Sequence, residues 1–353
     1  MAIDPDKLGA FMGKLVDDLG AMASIGPMLI GEKLGLYKAM ADGKPVNAAE
    51  LATKTNTNER YVREWLCAQA ASGFVEYDSA AGRFSMTEEQ AVALADEGGP
   101  FYIMGAIELA IAMVKDEPRI LEAFRTGQGV GWHEHDACLF RGTERFFRPG
   151  YMRHLLSEWI PALDGVMEKL KSGGRVADVG CGHGASTILM AQAFPKSHFW
   201  GFDYHAPSIE KARAAAAAAG VGDRTTFEVA PAKEYPGKGY DLVAFFDCLH
   251  DMGDPAGAAR HVFSTLADTG VWMIVEPMAG DRVEENLNPV GRLYYSASTF
   301  VCTPASRAQE VGLALGAQAG EARLRQVISE GGFQQIRRAA ETPFNMVLEA
   351  KAR

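Results

Sequence analysis

The residues best suited to chemistry lie in the second half of the chain. In VADVGCGHGAS, Val176–Ser186, Asp178 precedes glycines at every second position, Gly180, Gly182 and Gly184. Glycine has no side chain to hold a ligand off the backbone, so such a loop offers its N–H groups at close range. Asp203 closes HFWGFD, Asp247 closes DLVAFFD, and Glu276 lies in MIVEP. His250 and Asp251 stand together in FFDCLHDMGDP. An imidazole with an ordinary pKa near 6.5 can accept a proton at neutral pH.

The pattern from Lys171 onward supplies strands and helices to hold these groups. RVADVG reads as a buried strand, ASTILMAQAF as a helix, HFWGFD as a strand and SIEKARAAAAAAG as a helix closed by Gly220. RTTFEVA, YDLVAFFD, a helix over about 254–266 and VWMIVEP continue the alternation. Strands separated by one helix each imply a parallel sheet. The tail GGFQQIRRAAETPFNMVLEAK reads as two adjacent strands that add an antiparallel edge.

Upstream, the spacing of apolar residues predicts one helix from Ser24 to Ala41, stopped by Asp42-Gly43. AAELATKT and ERYVREWLCAQAASG follow as helices, then FVEYDSAAGRFSMT as a hairpin turning at Ala80-Ala81-Gly82. Helix, helix, hairpin is the order of a winged helix. After Gly98-Gly99-Pro100 the chain reads as helices, with IMGAIELAIAMVK expected to be buried on several sides and GQGVGWHEHDACLFRG as a loop. The expected division is a helical and winged-helix segment over 1–98, a helical connector over 99–172 that contributes to a substrate pocket, and a sheet domain over 173–353.

Composition limits the function classes. Hydrophobic residues make up 48% and charged residues 23% of the 353. No apolar run approaches the roughly 20 residues of a membrane span. The acidic residues of Met1–Gly20 do not fit a secretory signal, so a cytoplasmic place is expected. A net charge of −10 works against nucleic-acid binding, which is built largely from neutralised phosphates. The five cysteines are scattered without a CxxC pair, and no metal set is expected.

D-x-G-x-G-x-G in this setting resembles motif I of the class I S-adenosylmethionine-dependent methyltransferases. The resemblance implies an α/β fold, a Rossmann-like seven-stranded methyltransferase sheet preceded by a mainly α winged-helix domain. It implies S-adenosylmethionine as cofactor, held by Asp178, Gly180, Gly182, Gly184 and Asp203, with Asp203 on the ribose hydroxyls and Tyr204 beside the adenosine. Many members carry Gly-Asp-Ala near the adenine where this chain has Ala230-Pro231-Ala232, which leaves that contact to the backbone of Ala230 and Ala232. Asp247 falls near the methionine moiety.

His250-Asp251 is similar to the His-Asp-Trp motif of small-molecule O-methyltransferases, with Met252 in place of the tryptophan. In those enzymes the histidine deprotonates the acceptor and a later acidic residue, here Glu276, orients it. In other class I methyltransferases a histidine at this place only supports the cofactor. Trp132, His133, Arg292 and Tyr295 are expected around a small apolar or aromatic acceptor, and the His133-Glu134-His135 run is read as substrate loop or structure. The winged helix resembles those that make homodimers; Leu29, Ile30, Leu34, Leu36 and Tyr37 form its apolar face or its internal core. Two alternatives remain open. The loop also satisfies the G-x-G-x-x-G/A fingerprint with an acidic residue about 20 positions later, as in NAD-dependent oxidoreductases, and the chain could be an S-adenosylmethionine-sensing winged-helix regulator. Against DNA reading, Glu59 and Glu64 offset Arg60 and Arg63.

Overall fold

The computed structural model describes residues 3–352; Met1 and Ala2, the head of the segment that lacks a secretory pattern, lie outside the described residues. The chain divides into two compact units, Met1–Ile111 with Arg141–Pro149 and Ala112–Phe140 with Gly150–Arg353. Residues 99–172 are thus shared between the two.

In the first unit the helices are Pro5–Lys33, Leu36–Met40, Ala48–Thr55 and Glu59–Ala71, followed by the antiparallel strands β1 (Glu76–Asp78) and β2 (Arg83–Ser85) and the helix Glu88–Leu94. The single helix expected over 24–41 is two. Gly35 adopts φ +68°, a left-handed conformation that breaks the turn, and the first helix instead runs back to an N-cap at Asp4. Leu36 and Tyr37 are core, not surface, with Tyr37 edge-on to Trp65 at 5.1 Å. Ile30 and Leu34 are exposed. Arg60 pairs with Glu64 and Arg63 with Glu59 one helical turn apart. IMGAIELAIAMVK is less buried than its composition suggests. Val114 is exposed and Glu108 is buried, paired with Arg141 and Arg145.

The second unit is built on β3 (Arg175–Val179), β4 (His198–Asp203), β5 (Thr225–Val229), β6 (Tyr240–Phe246), β7 (Leu266–Pro277), β8 (Gln335–Glu341) and β9 (Asn345–Lys351). Their order is β5-β4-β3-β6-β7-β9-β8. The first five run parallel and β9 is antiparallel to both β7 and β8. Helices on the faces of the sheet leave β6, apart from Asp241, and residues 270–275 of β7 apolar and buried, as parallel sheets require. From β3 the chain moves outward through β4 to β5, then returns to place β6 on the other side of β3. Just outside the strand ends at such a reversal, α/β sheets form their ligand crevices. Between β7 and β8 lie helices Pro289–Phe300, Cys302–Arg307 and Glu321–Glu330.

Candidate functional site

The glycine loop leaves β3 and enters the helix Ala185–Ala193. Gly180, Gly182 and Gly184 all have positive φ, at +76°, +52° and +80°. Their surroundings differ. A Cβ on Gly180 would meet Cys248 Sγ at 2.8 Å, and one on Gly184 the Phe227 ring at 2.9 Å; one on Gly182 would meet nothing within 4 Å. Two glycines therefore permit close packing, while the middle one presents bare backbone to open space.

Buried Asp178 anchors the loop. Its Oδ2 accepts hydrogen bonds of 2.6 Å from both the Ser186 and the Thr187 hydroxyls, and its Oδ1 has no partner among the described residues. Burial raises this carboxyl to about 6, although the two hydroxyls pull the other way. Asp203 closes β4 and accepts from Gly182 N at 3.0 Å and from His205 N at 2.8 Å, tying loop and strand end together. Burial lifts its pKa as well, against those N–H donors. Ala230 is buried and donates its N–H to the Asp203 carbonyl at 3.0 Å; Ala232 is half-buried and Tyr204 stands half-exposed.

At the end of β6, Asp247 has φ +50°, a conformation costly for a residue with a side chain. One carboxylate oxygen accepts from Asn345 Nδ2 at 2.8 Å and the other is buried without a partner among the described residues. Burial, reinforced by the charge of Glu276, holds its pKa well above the usual range. The chain then makes a short 3-10 turn, Leu249–Asp251, that brings His250 over the end of β7. Glu276 Oε1 accepts from Leu249 N at 3.0 Å, and Oε2 lies 2.6 Å from His250 Nδ1. Nδ1 is thus the nitrogen that donates, and Nε2 is left facing Asp251 Oδ1 at 3.2 Å. Burial disfavours the imidazolium, but Glu276 and Asp251 outweigh it and keep the His250 pKa well above the ordinary value.

The remaining expected residues are placed unevenly. Trp132 is half-buried and meets Phe140 edge-on at 5.9 Å; Phe140 in turn stacks on His205 at 4.5 Å. His133 is exposed, and the inward imidazole of that loop is His135, whose Nδ1 lies 2.8 Å from Asp116. On Pro289–Phe300, Arg292 and Tyr295 occupy the exposed side while Tyr294 turns inward, its hydroxyl donating to the Phe344 carbonyl at 2.9 Å. Successive helical residues are about 100° apart, so an inward Tyr294 turns both away. Tyr151, Tyr294, Asn345 and Cys302 also border the buried groups and carry no motif of their own. Only Ser186 and Thr187, which follow Gly184 after one alanine, offer a local sign in the sequence, as hydroxyl donors for Asp178.

The Asp178 carboxyl is a weaker acid folded than unfolded, so the stability linked to it is fully present below about pH 4 and is lost as pH rises through about 6. At 1.36 kcal/mol per pKa unit the full effect is roughly 3 kcal/mol. Asp178→Asn removes it. In denaturant titrations of the ligand-free protein, the variant should gain on the wild type by roughly 2 kcal/mol between about pH 4 and about pH 7; parallel curves would show that this carboxyl is not held protonated by its site.

Comparison with known proteins agrees with this architecture. Residues 170–329 match a family model described as a methyltransferase domain, and residues 20–96 match an Rv2258c-like winged helix-turn-helix domain. The 27-O-demethylrifamycin SV methyltransferase of Amycolatopsis mediterranei is 32% identical over 134 residues, 36% of this chain and 49% of that protein. A trans-aconitate 2-methyltransferase of Streptomyces avermitilis is 34% identical over 97 residues, 26% and 36% of the two chains. The chain thus spans half or less of the length of these curated relatives. Among solved structures, human N-acetylserotonin methyltransferase in complex with SAM superposes with a TM-score of 0.72 over 99% of both chains at 15% identity. The mitomycin 7-O-methyltransferase MmcR gives 0.71 over 99% of this chain and 100% of its own at 18% identity. This chain joins an N-terminal winged helix-turn-helix domain to a methyltransferase domain.

Proposed function

We propose that the protein moves a methyl group from S-adenosylmethionine to oxygen on a small apolar or aromatic acceptor. One observation carries this reading: a glycine loop with open space at Gly182 is flanked by the buried carboxylates of Asp178 and Asp247, each with one unpartnered oxygen. Such oxygens favour a ligand with positive charge or hydrogen-bond donors, and the cofactor has both. Asp178, Gly180, Gly182 and Gly184 would hold it with Asp203, Tyr204, the backbone of Ala230 and Ala232, and Asp247. Bound there, it supplies a methyl group on a sulfonium, open to in-line attack.

On the acceptor side, His250 is the group with proton-accepting capacity. Its Nδ1 is committed to Glu276, and its raised pKa makes it a strong base once Nε2 has given up its proton. The acceptor hydroxyl's proton then goes to Nε2 of the neutral form, transfer rises with pH, and Glu276 offsets the charge that results. Trp132, edge-on to Phe140, and Phe140, stacked on His205, would line the approach of the acceptor, and their aromatic character favours a ring-bearing one. His133, Arg292 and Tyr295 are exposed, so they would reach an acceptor only at its outer edge. The relatives named above for rifamycin, mitomycin and N-acetylserotonin support a small-molecule acceptor. No helix among the described residues is long and apolar enough to cross a membrane, and the five cysteines are free, in keeping with a cytoplasmic enzyme.

The acceptor assay uses methyl-labelled cofactor with two-ring phenols such as 1-naphthol. Asp203→Ala should weaken cofactor binding in calorimetry at least tenfold. His250→Ala should bind cofactor as the wild type does and transfer methyl about 10²- to 10⁴-fold more slowly. Saturable NAD binding without cofactor binding would refute the assignment, and full activity in His250→Ala would refute the base.

We also propose a homodimer. The helix Pro5–Lys33 exposes Leu8, Phe11, Leu15, Leu19 and Met22 at intervals of three and four residues, an apolar stripe that a second copy would cover. The paired arginines and glutamates of the helix Glu59–Ala71 give no basic stripe for DNA. Light scattering of the full chain should give a dimer that Leu15→Glu with Leu19→Glu converts to monomer; a monomeric wild type at micromolar concentration would refute it.

A further inference from the structure

The turn that carries His250 brings a third kind of donor to the same spot. His250, Asp251 and Cys302 each present one ligand atom, and these atoms lie within 4.8 Å of one another. Cys302 is far away in the chain, at the start of the helix Cys302–Arg307, which is fastened to the turn. Ser306 Oγ donates to the Met252 carbonyl at 2.8 Å, Gln309 Nε2 to the Asp251 carbonyl at 2.8 Å, and Gly253 N to Gln309 Oε1 at 3.0 Å. The loop Gly127–Asp136 is fastened to that helix in turn. Val130 N donates to the Pro304 carbonyl at 3.0 Å, and a Cβ on Gly129 would fall 2.0 Å from Ala308 N. The turn and the helix that carry the donors are therefore fastened together by hydrogen bonds independent of any ligand.

Two buried atoms in this region have no hydrogen-bond partner among the described residues, Asp251 Oδ1 and His135 Nε2. The first belongs to the cluster. The second belongs to an imidazole whose side chain is 1% exposed, whose Nδ1 is spent on Asp116 and whose charge bears on Asp251. His250 repeats the arrangement, with Nδ1 on Glu276 and Nε2 toward the cluster. A carboxylate behind an imidazole, with the far nitrogen aimed at two further donors, is the usual outer shell of a metal-binding histidine.

We infer that His250 Nε2, the Asp251 carboxylate and the Cys302 thiolate form a binding site for a thiophilic divalent cation of the zinc class. One nitrogen, one oxygen and one sulfur suit zinc or cobalt and not magnesium or calcium, which take oxygen alone. Three protein ligands leave a fourth position for water. Binding releases the Cys302 proton, and with it the Nε2 proton of the His250 imidazolium, to solvent and involves no change of oxidation state. Its effect on catalysis rests on the reading of His250 as base: a cation on Nε2 occupies the nitrogen that receives the acceptor's proton, so the metal is an inhibitor. The absence of a CxxC pair conceals such a site in the sequence, since its donors come from a turn and a distant helix.

The full-length protein, stripped with chelator and titrated with cobalt(II), should bind one equivalent with a near-ultraviolet thiolate-to-cobalt band. Cys302→Ser should lose that band, and Glu276→Gln should keep it with affinity lowered about 10- to 100-fold. Zinc should suppress methylation of 1-naphthol by the wild type, reversibly with EDTA, and leave the rate of Cys302→Ser at its metal-free value. Absence of stoichiometric cobalt binding, or the same spectrum in Cys302→Ser, overturns the site. A thiolate band together with a zinc-stimulated rate overturns the inhibitory role and the base assignment but not the ligands. Absence of cobalt binding with loss of transfer in His250→Ala overturns the site alone.

Discussion

Four carboxylates crowd the C-terminal ends of four neighbouring parallel strands: Asp203 on β4, Asp178 on β3, Asp247 after β6 and Glu276 on β7. Desolvation raises the first three, and like charges at close range add to the cost. The protein offsets part of it. Two hydroxyls serve Asp178, two backbone N–H groups serve Asp203, a side-chain amide serves Asp247, and an imidazole with one N–H serves Glu276. One oxygen each on Asp178 and Asp247 is left over. Unpartnered buried acceptors are expensive in a folded chain, and here they sit on the strands that flank the glycine loop. The site has the form of one half of a charge-complementary pair.

The topology makes this crowding unavoidable. Placing β6 beside β3 leaves a crevice at the reversal, and the residues that end those strands must line it. Asp247 shows how tightly the chain is bound to this geometry, since a non-glycine residue is held at φ +50° while its N–H is fixed to Val275 of β7 at 2.8 Å. That turn of the backbone returns His250 toward Glu276. Packing between Gly180 and Cys248, and between Gly184 and Phe227, ties the glycine loop to the same strand ends. Loop, strained aspartate and imidazole therefore depend on one another through contacts of a few ångströms.

Much of this was legible in the sequence because it depends on period and on local type. Alternating strands and helices, the three glycines, the acidic strand ends and the hairpin with its glycine turn are all local patterns. Facts that depend on the direction of a side chain, or on partners far along the chain, were not legible. Tyr294 and Tyr295 are equally plausible on paper, and only the phase of the helix decides between them. His135 owes its buried place to Asp116, nineteen positions earlier, and Cys302 reaches His250 because a helix without a motif is fastened to the turn. The apparent helix over 24–41 failed at Gly35 because one left-handed residue outweighs an apolar periodicity that runs straight across it.

The central claim is that the buried carboxyls of Asp178 and Asp247 hold their protons more tightly than usual until a cationic ligand arrives. It is tested most directly by calorimetric titration of the protein with S-adenosylmethionine near pH 6, repeated in buffers of different ionisation enthalpy. Asp178, at about 6 without ligand, should lose its proton as the sulfonium and ammonium groups bind, so binding should release protons to the buffer. Binding with no net proton exchange, or with proton uptake, would contradict the account.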